Sequence, residues 1–182
     1  MIAPLAVAAL ALLVERDMHP YEMLHLLQLR GLQRYVKIRP GSFYHAVARL
    51  ERDGLLVVVG TAQHGNRPAR TIYTITTEGR ATLRENVMQT LTGTTHDRPL
   101  PLALAQAHHL DTDTVVSSLT ERIQKLDQQL EEFELLAASF CGRPRMLGLH
   151  ADFMRAMTRT EILWLRNVVE QLAATPGAAD PT

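Results

Sequence analysis

Val116, Leu119, Ile123, Leu126, Leu130, Phe133, Ala137 and Phe140 stand 3, 4, 3, 4, 3, 4 and 3 residues apart. Apolar side chains at that spacing fall on one stripe of an α-helix, and a stripe this long needs another helix to cover it. The spacing predicts a long helix, capped by Asp111 or Thr112 and closed at Cys141-Gly142-Arg143-Pro144. A last helix from about Met146 to Ala173 follows, with Phe153, Met154, Met157, Trp164, Leu165, Val168 and Leu172 on a broad apolar side. Two long antiparallel helices with more apolar surface than one pair can bury predict exchange with a second copy of the chain. The residues expected at that contact are Leu119, Ile123, Leu126, Leu130, Phe133, Phe140 and Val168. Residues 111–174 thus read as a coiled-coil-like dimerisation arm, with 175–182 as a flexible tail.

The N-terminal half has a different rhythm. Ile2 to Glu15 is rich in Ala and Leu, with Pro4 in the first turn where a missing N–H costs little. A second helix opens at Pro20 and stops before Gly31, and a third runs from Ser42 to Asp53 and is closed by Gly54. In that third helix Phe43, Val47 and Leu50 share one stripe, while Ser42, His45, Arg49 and Arg52 share another that has no acidic member. Leu55–Val59 and Ile72–Ile75 read as two short strands joined by a turn-rich basic loop containing Gly65, Asn66, Arg67, Pro68 and Arg70. A helix from Thr77 to Leu91 leads out of this hairpin. The expected architecture is mainly α with a small β-hairpin. A winged helix-turn-helix occupies 1–93, a linker with a short helix 94–110, and the long antiparallel helices follow.

The charge distribution agrees with a polyanion-binding first half. Formal net charge is zero, yet Arg30 to Arg70 holds eight basic residues (Arg30, Arg34, Lys37, Arg39, Arg49, Arg52, Arg67, Arg70) against Glu51 and Asp53. A major groove admits one α-helix, so the third helix is expected to present Ser42, Tyr44, His45 and Arg49 to double-stranded DNA. Arg49 is the candidate for reading guanine, since a guanidinium pairs two acceptors at once. Tyr21, Lys37 and Arg39 lie at the approaches to that helix, and Arg67 and Arg70 belong to the wing.

Several fragments, in order, resemble the PadR family of transcriptional regulators. Met18-His19-Pro20-Tyr21-Glu22 is similar to the family's His-Gly-Tyr-Glu opening of helix two. Arg39-Pro40-Gly41-Ser42-Phe43-Tyr44 resembles its Ser-Pro-Gly-Ser-Leu-Tyr entry to the recognition helix. Leu50-Glu51-Arg52-Asp53-Gly54-Leu55 looks like its Leu-Glu-x-x-Gly-Leu ending. Arg67-Pro68-Ala69-Arg70, Tyr73, Thr76, Gly79 and Arg80 resemble its wing and the start of the next helix. Pro20, Arg39 and His45 depart from the usual Gly, Ser and Pro, and the last two fall on the expected DNA face. The resemblance implies a repressor that binds a palindromic operator as a homodimer and is released by a small aromatic or drug-like effector. Met154, Met157 and Trp164 are the residues expected to line the effector pocket.

Other functions find little support. The single cysteine, Cys141, excludes an internal disulfide framework and suits a reducing, cytoplasmic setting. Ile2 to Val14 is too short and too poorly flanked for a membrane span or signal peptide. None of the eight histidines stands at a metal-ligand spacing, and adjacent His108 and His109 would diverge on a helix. No metal, cofactor or catalytic set is expected. The competing expectation is a protein-interaction adaptor whose winged domain is a scaffold that does not read DNA.

Overall fold

Pro4 sits at the first position of helix α1 (Pro4–Glu15) in the computed structural model, which describes residues 2–62, 70–94 and 100–174. The side chains of Ala62 and Arg70 fall outside this description, as do Arg67, residues 95–99 of the expected linker and the tail. Helices α2 (Pro20–Leu29) and α3 (Pro40–Arg52) follow, with a 3-10 turn at Leu32–Arg34 between them. Strands β1 (Leu56–Ala62) and β2 (Arg70–Ile75) pair antiparallel, with a bulge between Val58 and Gly60. Helices α4 (Thr77–Thr92), α5 (Leu100–Ala105), α6 (Thr112–Ala138) and α7 (Arg145–Ala174) complete the chain, with a 3-10 turn at Ala107–His109. No helix among the described residues is long and apolar enough to cross a membrane.

The described residues divide into two units, 2–90 with 100–110, and 91–94 with 111–174. In the first unit α1 is buried from Ala6 to Leu13, and it packs on α2, α3 and β2. Met23 and Leu27 of α2, Phe43, Val47 and Leu50 of α3, Leu56 and Ile75 of the hairpin, and Leu83 and Val87 of α4 are also buried. The hairpin gains a third rung from the chain between α1 and α2. Met18 N–H donates to Tyr73 O at 3.1 Å and Tyr73 N–H to Met18 O at 3.0 Å.

Local chemistry sets the element boundaries. His19 caps α2 by accepting from Tyr21 N–H at Nδ1, 3.0 Å away, which places the ring proton on Nε2. Gly31 follows α2 at φ 71°, a left-handed conformation open to glycine. Thr76 caps α4: its Oγ1 accepts from Gly79 N–H at 3.0 Å and donates to Gly54 O at 2.9 Å.

In the second unit Asp111 caps α6, its carboxylate accepting from the N–H and hydroxyl of Thr114, both at 2.8 Å. Val115, Leu119, Ile123 and Leu126 of α6 and Ala151, Ile162 and Leu165 of α7 are buried where the two helices pack. Two ion pairs set their antiparallel register. Arg166 reaches Asp127 at 2.9 Å and Arg159 reaches Glu134 at 2.7 Å, partners seven residues apart on both helices in opposite chain directions. Inside them Arg122, whose side chain is only 7% exposed, holds Glu161 through Nε and a terminal nitrogen, both at 2.7 Å.

Two expectations need correction. Helix α6 ends at Ala138, so Phe140 is not the last rung of its stripe but part of the turn. It lies edge-on to His150 with ring centroids 5.4 Å apart. His108 and His109 do not diverge. They occupy a 3-10 turn, and their rings tilt together with centroids 4.1 Å apart.

Candidate nucleic-acid interface

Helix α3 divides its side chains cleanly. Phe43, Val47 and Leu50 are buried, and Ser42, Tyr44, His45, Arg49 and Arg52 are exposed. Ser42, His45, Arg49 and Arg52 form one polar stripe by helical spacing, and Tyr44 falls on its flank. Arg49 makes an ion pair with Asp53 one turn on, at 3.4 Å with both side chains exposed. Such a pair is worth well under about 1 kcal/mol, so it offers little resistance to exchange for a phosphate or a base edge. Ser42 lies in the first turn, where helix N–H groups face outward and favour anions.

The remaining nominated residues cluster at the approaches. Tyr21 is 58% exposed in the first turn of α2, and Lys37 and Arg39 are exposed on the segment entering α3, where Arg39 is the N-cap residue. Lys37, Arg39 and Arg52 have no ion pair among the described residues. Arg67 and the Arg70 side chain lie outside them. One residue that the sequence reading counted but did not nominate belongs with this set. Arg34 is exposed in the 3-10 turn between α2 and α3, and its only signal was its place in the basic run.

The charge count needs a correction. Arg30 is already matched, because it makes a two-pronged pair with Glu15, its second nitrogen 2.7 Å from Oε2. The hydrogen bond from Arg30 is the main reason that the Glu15 carboxyl is held below its ordinary range.

Residues of the motifs that resemble a known family turn out to build the scaffold. Glu51 accepts from the Tyr73 hydroxyl at 3.1 Å, tying α3 to β2. Burial, and then this bond, push the Tyr73 hydroxyl above its usual range. Gly54 follows α3 at φ 73° and returns the chain toward β1. Gly79 presses against that return: a β-carbon on it would lie 2.1 Å from Leu55 O. The Glu-x-x-Gly-Leu, Tyr, Thr and Gly positions therefore meet at one junction that aims the third helix and the hairpin.

Three helices followed by an antiparallel hairpin, with the third helix polar and exposed, define a winged helix-turn-helix domain. Residues 9–85 match the model of the transcriptional regulator PadR-like family. No curated protein matches the chain. Among solved structures it is similar to Bacillus subtilis PadR in complex with operator DNA, at 16% identity and TM-score 0.44, over 92% of this chain and 98% of that one. It is also similar to smu.1604c from Streptococcus mutans, at 18% identity and TM-score 0.43, over 96% of this chain and 100% of that one. A PadR-like regulator of Bacillus cereus matches at 17% identity and TM-score 0.39, over 93% and 98%.

The residues expected in the C-terminal half separate into two groups. Leu119, Ile123 and Leu126 are buried within the chain's own second unit, and Leu130, Phe133 and Val168 are half-buried there. On α7, Met154 is half-buried whereas Phe153, Met157 and Trp164 are 62%, 54% and 46% exposed. Met146, Phe153, Met157 and Trp164, spaced 7, 4 and 7, form an exposed apolar stripe on the side of α7 away from Ala151, Thr158, Ile162 and Leu165.

Proposed function

We propose that this protein is a cytoplasmic transcriptional repressor that binds a palindromic operator as a homodimer, with α3 in the major groove. The observation that carries the reading is the polar stripe of Ser42, His45, Arg49 and Arg52, with Asp53 at its end, displayed opposite the buried Phe43, Val47 and Leu50. A helix so divided keeps its packing while its outer face enters a groove about 12 Å wide. Arg49 reads a base, and Arg34, Lys37, Arg39 and the wing residues Arg67 and Arg70 hold phosphates. Tyr21 and Tyr44 flank the contact.

The dimer forms through the second apolar face of α7. A helix with one face on α6 and another bearing Phe153, Met157 and Trp164 in water is incompletely buried as a single chain. A dimer carries two recognition helices, as many as a palindrome with half-sites about 34 Å apart requires. A small aromatic or drug-like effector that wedges between Met154, Met157 and Trp164 would change that spacing and release the operator. Trp164 is the only tryptophan, so its fluorescence reports such a ligand directly.

The test is a shift assay on DNA upstream of the protein's own gene. Binding should weaken steeply with salt, as counterions are released when phosphates are neutralised. Arg49→Ala should cost about 1–3 kcal/mol and relax preference at one base position of each half-site. Failure of the wild-type protein to shift any such fragment at low salt removes the reading.

A further inference from the structure

We propose that the turn joining α6 to α7 forms a binding cleft for a small organic phosphomonoester, with Arg143 and Arg145 holding the phosphate and Phe140 facing the organic group. The cleft has a volume of about 390 Å³ and includes Glu134, Phe140, Arg143, Arg145, Asp152 and Arg155 in its lining. That size lies within the range of about 300–1,000 Å³ typical of sites for small molecules.

Its charge is unbalanced. Asp152 is taken up by Arg155 at 2.8 Å, and Glu134 by Arg159 at 2.7 Å. Arg143 and Arg145 have no ion pair among the described residues, which leaves two arginines in the lining without a counter-charge. Each is a planar fork that matches phosphate oxygens in pairs, and a phosphomonoester carries close to two negative charges at neutral pH.

Stability alone does not explain this arrangement. A cation after the end of α6 is favoured by that helix's dipole, and Arg143 qualifies. Arg145 is the first residue of α7, where the dipole favours an anion, and the first turn of α7 has no acidic residue. A bound phosphate satisfies both the helix terminus and the two arginines. The apolar wall is held in place for it. Arg143 sits over the Phe140 ring, its guanidinium carbon 5.9 Å from the centroid, and His150 meets the ring edge-on. Gly148 admits Phe140 against the helix backbone, since a β-carbon there would stand 3.1 Å from Phe140 Cβ.

Cys141 makes the proposal measurable. It is the only cysteine, it is exposed, and it lines the same cleft. The experiment follows its alkylation by uncharged iodoacetamide in the full-length protein without DNA, at constant ionic strength. Phenyl phosphate should slow the reaction several-fold and saturably, whereas phenol at equal concentration should not. Arg143→Ser with Arg145→Ser should abolish the protection while leaving the urea midpoint unchanged. If that double variant is unstable, Arg143→Lys with Arg145→Lys keeps the charge and should protect more weakly than wild type. Three outcomes overturn the proposal: no protection up to about 10 mM phenyl phosphate, a range that would already be weak binding; equal protection by phenol; or undiminished protection in the variants. Equal protection by inorganic phosphate overturns the role given to Phe140. Because no DNA is present, each result stands apart from the outcome of the operator assay.

Discussion

A methyl group has no room at Gly79. Alanine would ordinarily gain up to about 1 kcal/mol over glycine in a helix. Here its β-carbon would lie 2.1 Å from Leu55 O and 2.8 Å from Ile75 Cγ1. The first of these is backbone, so the clash can be relieved only by moving α4 off the hairpin. Overpacking wins over propensity, and Gly79→Ala should destabilise the protein by about 1–3 kcal/mol, read as a lower urea midpoint at unchanged slope. An unchanged midpoint would mean that the junction yields freely. His109 gives a second residue-scale prediction. Its Nε2 is buried with no hydrogen-bond partner, and burial followed by the neighbouring His108 charge lowers its pKa from 6.5 to about 4. The unfolded chain binds that proton more readily, so the contribution is full above pH 6.5 and is lost as pH falls toward 4. Glu15, held below 4.5 by Arg30, adds its own loss as pH falls below 4.5. Urea midpoints between pH 7 and 4.5 should fall less in His109→Gln than in wild type, and parallel curves would exclude the effect.

At the scale of elements, the α6–α7 hairpin is held by an apolar seam and by one enclosed ion pair. Arg122 is buried and takes both nitrogens to Glu161, whose side chain is 32% exposed. Removing the carboxylate takes a charged partner from a buried guanidinium, a change that costs about 3–5 kcal/mol when both partners are fully enclosed and no other remains. Water reaches Glu161, so Glu161→Ala should cost less, about 2 kcal/mol. Glu161→Gln, which keeps an acceptor, should cost less again. Equal midpoints for both variants would show that packing, not the pair, holds this register. The same seam also explains a limit on legibility. The 3-4 spacing of Val116 to Phe133 said that α6 would be covered, and it is, but spacing does not say by which helix. The cover comes from α7 of the same chain.

For the whole molecule, the dimer proposed above is one in which a second copy uses what α7 leaves over. Met157→Glu with Trp164→Glu places two charges on the exposed stripe, at residues 54% and 46% exposed, so the fold should survive while self-association fails. Sedimentation equilibrium should give a monomer, and affinity for a palindromic site should fall by at least about tenfold as the second half-site is lost. A dimer that persists in this variant would move the interface elsewhere.

The order of helices, the caps and the buried stripes were readable because they depend on neighbours three or four residues away. Pro4, Pro20 and Asp111 open their helices where local rules place them, and Gly31 and Gly54 follow helix ends in left-handed conformations. The exposed stripe of α3 was legible for the same reason. What only the tertiary structure decided is which charges and apolar groups are already spent. Arg30 is matched by Glu15, Phe140 leaves its helix for the turn, and Glu51, Tyr73, Thr76 and Gly79 meet at a junction that no spacing announces. Those outcomes depend on distances between residues far apart in the chain, and packing sets such distances whereas local periodicity does not.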